Sequence, residues 1–353
     1  MINTIYSACK MTNSSERLDY LDLLKGFAIF LVVMGHFLAW TFPADVDRGF
    51  YPLFVKNVIY SFHMPLFFFV SGYLVDLKRK EWKIGTGMTV IWKRVQTLLL
   101  PGFSFLLILY VRTGAVYFEW FLKVLFEMYL AYVVTRLVSR YLFNKVSVEM
   151  VLHVGAVVAI FLVKRLSTGT SVNDLLSFSA FCNFYPYFLL GYVCCRFKME
   201  KLVASKDWIY SLCVVAWCVL FLVMRETEFP GKKYIVAISA IVVCFKIAQS
   251  VDFSKPTLVT RSLIRWGKIS LAIYLISPMI IPWFPELGMY FIKADAYERF
   301  GSFTHATHLT SIFCQVVSGV VISLYVCVIC SLLKKIFEKS KVLNFILFGQ
   351  KSE

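Results

Sequence analysis

Asp22-Leu-Leu-Lys25-Gly26-Phe-Ala-Ile-Phe-Leu-Val-Val-Met-Gly35-His36 begins an apolar run that reaches Thr41 and carries one lysine and one histidine. Its length matches the roughly 20 residues that an α-helix needs to cross about 30 Å of hydrocarbon. Comparable runs recur along all 353 residues, parted by short clusters of Lys, Arg, Asp, Pro and Gly. With 59% hydrophobic residues and a mean hydropathy of +0.72, the chain holds more apolar side chain than a water-soluble core can hide. Lipid is therefore the expected solvent, and the expected fold is all-α, a polytopic membrane helix bundle.

Spans are expected at 22–42, 52–75, 88–111, 118–136, 148–163, 174–195, 208–224, 233–249, 263–283 and 309–333, about ten transmembrane helices. The fifth is the shortest. This divides the chain into an N-terminal segment (1–21), a transmembrane domain (22–333) and a basic tail (334–353). No stretch outside the spans is long enough for a soluble catalytic domain, so chemistry belongs within the bundle or at its faces.

Charge sets the orientation. With ten spans both termini share one side, and 26 of the 37 Lys and Arg residues fall there, against ten in the opposite loops. Cytoplasmic loops carry the basic excess, so both termini are read as cytoplasmic. The same bias, with anionic lipid headgroups as partners, accounts for the net charge of +16 without nucleic acid. The first apolar run follows Glu16, Arg17, Asp19 and Asp22 rather than a short basic leader, so it is read as a retained span. Most of the ten cysteines lie in spans as small apolar residues. Cys327 and Cys330 stand one turn apart with no second pair or nearby His, so no metal site is expected.

Titratable groups inside membrane helices are costly and mark candidate sites. In the first span Asp22, Lys25, Ile29, Val32 and His36 share one helix face. The eleven residues between Lys25 and His36 amount to about 16 Å of rise, too far for direct contact. Lys25 at the cytoplasmic foot suits a phosphate, and the deep His36 suits proton transfer from a hydroxyl. A coenzyme A thioester, with a phosphorylated head and a reactive tail, has the shape to meet both. The alternative is a histidine bonded to a neighbouring helix.

The run from Arg17 to His36 resembles the opening of the acyltransferase 3 family, and its Asp-x-x-Lys-Gly and Val-x-Gly-His forms look most like the fucose 4-O-acetylase-like branch. Ser61-Phe-His-Met-Pro-Leu-Phe-Phe-Phe-Val-Ser-Gly-Tyr-Leu74, Trp120-Phe-Leu122 and Phe184-Tyr-Pro-Tyr-Phe-Leu-Leu-Gly-Tyr192 are similar to later family segments. The resemblance implies a membrane O-acyltransferase, most often an acetyltransferase. It would move an acyl group from acyl-CoA, commonly acetyl-CoA, to a carbohydrate hydroxyl in bacterial polysaccharide modification at the cell membrane, with no permanently bound cofactor. It gives His36 the catalytic role and Lys25 the basic position. The family's Arg-x-x-Arg pair is reduced here to Lys93-Arg94, followed by Gln96 and Thr97, so Lys93 and Arg94 are the remaining acyl-CoA candidates. The segment 269–275 is present, but Ser277 stands where many relatives have histidine.

Accessory candidates are Asp22, His63, Trp120 and Glu127. His63 either pairs with His36 or bonds locally near Pro65. Lys123 and Glu127, four residues apart, read first as a structural ion pair and second as proton-transfer or acceptor-binding groups. Ser71-Gly72 reads as helix packing, and His305 and His308 as loop surface. The rival function is a transporter or flippase for a carbohydrate or related solute, with the same buried charges binding and releasing cargo.

Overall fold

The computed structural model describes residues 14–41, 54–77, 83–114, 119–142, 146–166, 177–199, 207–223, 227, 229, 231–283 and 305–350. Its described elements are helical. In chain order they are α1 (Ser14–Thr41), α2 (Phe54–Leu77), α3 (Ile84–Thr113), α4 (Trp120–Leu142), α5 (Val146–Leu166) and α6 (Phe178–Phe197). There follow α7 (Asp207–Cys218), α8 (Lys232–Gln249), α9 (Leu258–Lys268), α10 (Ser270–Ile280), α11 (His305–Glu338) and α12 (Lys341–Phe348).

Each expected span falls on a helix, the ninth on a pair. Among the described residues, six helices are long and apolar enough to cross a membrane, or seven if α9 and α10 form one broken span. The others depart for visible reasons. Charges Lys123, Glu127, Arg136 and Arg140 interrupt α4, Lys232, Lys233 and Lys246 fall within the 18 residues of α8, and α7 is a short apolar helix continued by a π-turn at Val219–Val223. The ninth expected span, 263–283, is not straight: α9 and α10 meet at 90° around Ile269. Arg261, Arg265 and Lys268 make α9 strongly amphipathic, whereas α10 is apolar. Both ends of the chain are also more helical than expected. α1 begins at Ser14, inside the segment read as separate, and α11 runs to Glu338 before α12 follows.

Contacts divide the chain into two units, Met1–Val70 with Glu200–Lys334, and Ser71–Met199 with Lys335–Glu353. In the first, α1 is the buried centre. Tyr20 meets Phe245 edge-on at 5.5 Å, Phe69 meets the same ring at 5.7 Å, and Phe30 stacks on Trp266 at 6.0 Å. The first turn of α2 would leave its Val55 N–H without an intrahelical acceptor; buried Gln315 of α11 accepts it at 3.3 Å. The tightest seam is α1 on α9. A Cβ built on Gly26 would sit 1.8 Å from the Leu263 carbonyl oxygen, and one on Gly267 1.9 Å from that of Asp22. Only glycine fits this crossing, which explains the Lys25-Gly26 pairing in the opening motif.

In the second unit α4, α5, α6 and the end of α2 surround a polar core. Gly72 faces the Phe188 carbonyl so closely that a Cβ would lie 1.8 Å from it, so the expected packing role of Ser71-Gly72 is met at Gly72. α3 carries a π-turn at Val95–Leu99, immediately after Arg94. Pro101 follows, and its missing N–H breaks the regular hydrogen-bond ladder there. α12 packs back on α3: Ser104 donates to the Ile346 carbonyl at 2.8 Å, and Phe348 rests between Phe105 and Phe337.

Candidate active site

The first unit holds Asp22, Lys25, His36 and His63; the second holds Lys93, Arg94, Trp120 and Glu127. At the N-terminal foot of α1 Lys25 pairs with Asp22 at 2.7 Å, one turn apart, and Ile29 and Val32 above them are fully buried. The polar face read from the sequence is thus directed into the unit.

Higher on α1, the ring of His36 stacks on Trp40, one turn on, at 4.9 Å with 12° between planes. Its Nδ1 is buried and has no hydrogen-bond partner. Gly35 lets α2 close in, since a Cβ there would lie 2.9 Å from Tyr60 Cε2. Tyr60 in turn lies 5.0 Å from His63, and His63 and His36 are near enough to act on each other electrostatically. The structure therefore brings both histidines to one place.

His63 also bonds locally, to the Ile59 carbonyl at 2.8 Å. A carbonyl only accepts, so Nδ1 carries the proton and the neutral ring keeps its lone pair on Nε2. The local bond occupies Nδ1 and leaves Nε2 of His63 for another partner. Sequence reading named the two histidines and missed Trp40 and Tyr60, the aromatic rings beside them.

In the second unit Lys93 is exposed at the end of the first α-helical stretch of α3. Arg94 is half-buried, its guanidinium 3.8 Å over the Tyr129 ring. Stacking uses the face of the guanidinium and leaves its rim of N–H donors for an anion. Trp120 stacks on Phe184 at 5.6 Å. Glu127 departs from its first reading. Both carboxylate oxygens are buried without a hydrogen-bond partner, and Lys123 acts on them only electrostatically. Lysine one turn before glutamate is the less favourable order for such a pair, consistent with the missing contact.

A second polar cluster was not read from the sequence. Arg136 donates to Glu149, Tyr192 donates to the other oxygen of Glu149, and Arg136 and Arg196 lie 3.9 and 3.7 Å from Asp76. His153, one turn after Glu149, bonds Tyr185 at 2.7 Å and Thr135 at 3.2 Å. Two carboxylates and two guanidiniums balance here. The fifth expected span carried the signal, since Glu149 and His153 are titratable groups four apart in an apolar run. Their partners come from α2, α4 and α6, which sequence spacing does not reveal. The side chains of His305 and His308 lie outside the described residues. Among the described residues no three His, Cys, Asp or Glu are grouped to hold a metal ion.

No solved structure matches the chain. It is similar to the nodulation protein NolL of Mesorhizobium japonicum, 26% identical over 207 residues, covering 53% of this chain and 50% of the relative. It is likewise 26% identical over 225 residues to the nodulation protein NolL of Sinorhizobium fredii, covering 57% and 56%. The chain spans about half the length of the curated relatives it matches. The model of an acyltransferase domain matches residues 18–332, which takes in α1 from residue 18 onward, both histidines and the polar cluster. This apolar helical chain belongs to the acyltransferase 3 family.

Proposed function

We propose that the protein is a membrane O-acyltransferase that moves an acyl group, most simply acetyl, from acyl-CoA to a hydroxyl of a cell-surface carbohydrate or its lipid-linked precursor. The observation that carries this reading is His36, a deep histidine with an unsatisfied Nδ1 on the helix whose foot holds Lys25, in a chain of the acyltransferase 3 family. Buried polar atoms without partners are uncommon and point to chemistry or to a missing ligand.

In the proposed reaction a neutral imidazole takes the acceptor hydroxyl proton as the oxygen attacks the thioester carbonyl. The C–S bond then breaks, and the departing thiolate recovers a proton from the imidazolium. The products are the ester and free CoA. His36 is the base, and His63 beside it orients the ring or shares the proton. Lys25 binds donor phosphate; Lys93 and Arg94 are assigned the same role on the second unit, to be tested by separate variants. Asp22 holds Lys25 in place. Trp120 and Glu127 are assigned to the acceptor, one as a stacking surface and one as a hydroxyl partner.

The accompanying topology has ten crossings in a bacterial cytoplasmic membrane, both termini inside, the donor entering from the cytoplasm and the acceptor from outside. Cysteine labelling should find positions 140 and 255 inside and position 229 outside. The test of function is transfer of label from acyl-CoA to a carbohydrate by the purified protein. Labelled carbohydrate ester supports the reading; carbohydrate moving across proteoliposomes without thioester cleavage would replace it with the transporter.

A further inference from the structure

α9 presents two different sides. Trp266 and Gly267 are buried, with Leu263 against Gly26. Arg261, Arg265 and Lys268 are all exposed. Their spacing of four and three residues sets them within about 60° around the helix and strings them over about 10 Å. The orientation bias of membrane proteins asks only for basic residues on one side of the bilayer and would be met by cations scattered through a loop. Here they are arrayed on one face of a helix whose other side is seated, by two glycines that tolerate no Cβ, on the residues flanking Lys25.

One ion pair joins this face to the foot of α1. Lys268 lies 3.6 Å from Asp19, and Asp22, three residues on, pairs with Lys25 at 2.7 Å. Lys268 and Lys25 are thus each paired with a carboxylate of α1, while Arg261 and Arg265 stand exposed along α9. The surplus suits a ligand bearing several negative charges over a similar length. The 90° turn separates the charged face of α9 from apolar α10.

We propose that Arg261, Arg265 and Lys268, with Lys25, form a polyphosphate site that holds the nucleotide head of the acyl donor. The proposal rests on the acyl-CoA reading above and extends the donor site to an element more than 230 residues further along the chain. Arginine forks suit bidentate phosphate contacts, and Lys25 and Lys268 act as point charges.

The test is titration calorimetry on the full-length purified protein with CoA and with dephospho-CoA, which lacks the 3′-phosphate. The wild type should bind CoA about tenfold or more tightly than dephospho-CoA, and Arg261→Gln/Arg265→Gln should lose most of that difference. Arg261→Lys/Arg265→Lys should retain much of it, which separates lost charge from lost fold. Unchanged CoA affinity in the Gln variant, in a protein that still turns over acyl-CoA, would overturn the site and leave the proposed function standing. No thioester turnover by the wild type would instead sink the function itself. Retention on phosphatidylglycerol vesicles that falls in the Gln variant, with CoA affinity intact, would reassign the face to lipid headgroups and overturn the donor proposal.

Discussion

The histidines of the first unit and the ion network of the second are both polar groups in apolar surroundings, yet they are finished differently. Around Glu149 the two carboxylate oxygens receive Arg136 and Tyr192, and His153 has Tyr185 and Thr135. Around His36 there are aromatic neighbours and an Nδ1 with nothing to bond. Burial makes both arrangements costly unless satisfied. The cluster around Glu149 ties four helices together. The Nδ1 of His36 has capacity left for a substrate. Titratable groups inside membrane helices mark both places; Glu149 and His153 have side-chain hydrogen-bond partners, and His36 Nδ1 has none.

The largest expected effect separates the two directly. His36→Ala should lower acyl transfer by about a hundredfold to ten-thousandfold while expression and membrane insertion persist. His63→Ala should cost less if it only orients its neighbour. Equal losses in two well-folded variants would make the histidines a coupled pair. The network should respond in the opposite way. Arg136→Met strands Glu149 and should cost about 3 to 5 kcal/mol of stability, seen as a lower thermal midpoint in detergent, with turnover per folded molecule retained. A variant that melts normally but cannot turn over would move the network into the active site.

Smaller effects sharpen the division between binding and chemistry. Lys25→Ala should weaken acyl-CoA binding by about 1.5 to 3 kcal/mol by calorimetry, Lys25→Arg should keep much of it, and Lys25→Glu should repel the donor. Arg94→Ala, measured the same way, should weaken binding by a similar amount. Unchanged affinity in both alanine variants would remove the cations from the donor site.

The smallest effect lies in the loop before α9. The Ser254 hydroxyl and N–H both donate to Asp252, at 2.6 and 2.9 Å, and hold its carboxyl below the ordinary 3.8. A depressed carboxylate stabilises the fold above its unfolded value, and that contribution is lost as pH falls through the folded value. Asp252→Ala should therefore differ slightly from wild type in thermal midpoint near neutral pH, with the difference shrinking below about pH 4. A gap that widens in acid would contradict this hydrogen-bond account.

Much of the fold was legible because apolar length and charge are written along the chain. Asp22, Lys25 and His36 stood out as titratable groups on one face of an apolar run. The bend at Ile269 was not read, although Arg265 and Lys268 inside the expected span 263–283 conflict with a straight crossing. Gly26 and Gly267 show why: the helix that α9 seats against lies far away in sequence, and only the packed structure reveals how close the two backbones come. Glu149 with His153 carried a readable signal, but the partners of Glu149 lie 13 and 43 residues away. Glu127 shows the reverse, since spacing suggested an ion pair and the geometry leaves its oxygens unbonded.

The central claim is that His36 performs acyl-transfer chemistry while the cations at the foot of α1 bind the donor. Free CoA thiol released from acetyl-CoA by purified wild-type and His36→Ala protein, with donor binding measured on the same samples, tests it most directly. The account predicts acceptor-dependent thiol release by the wild type and near-complete loss in His36→Ala, with acetyl-CoA affinity within about twofold of wild type, a difference under about 0.5 kcal/mol. Wild-type rates of thiol release in folded His36→Ala would contradict it.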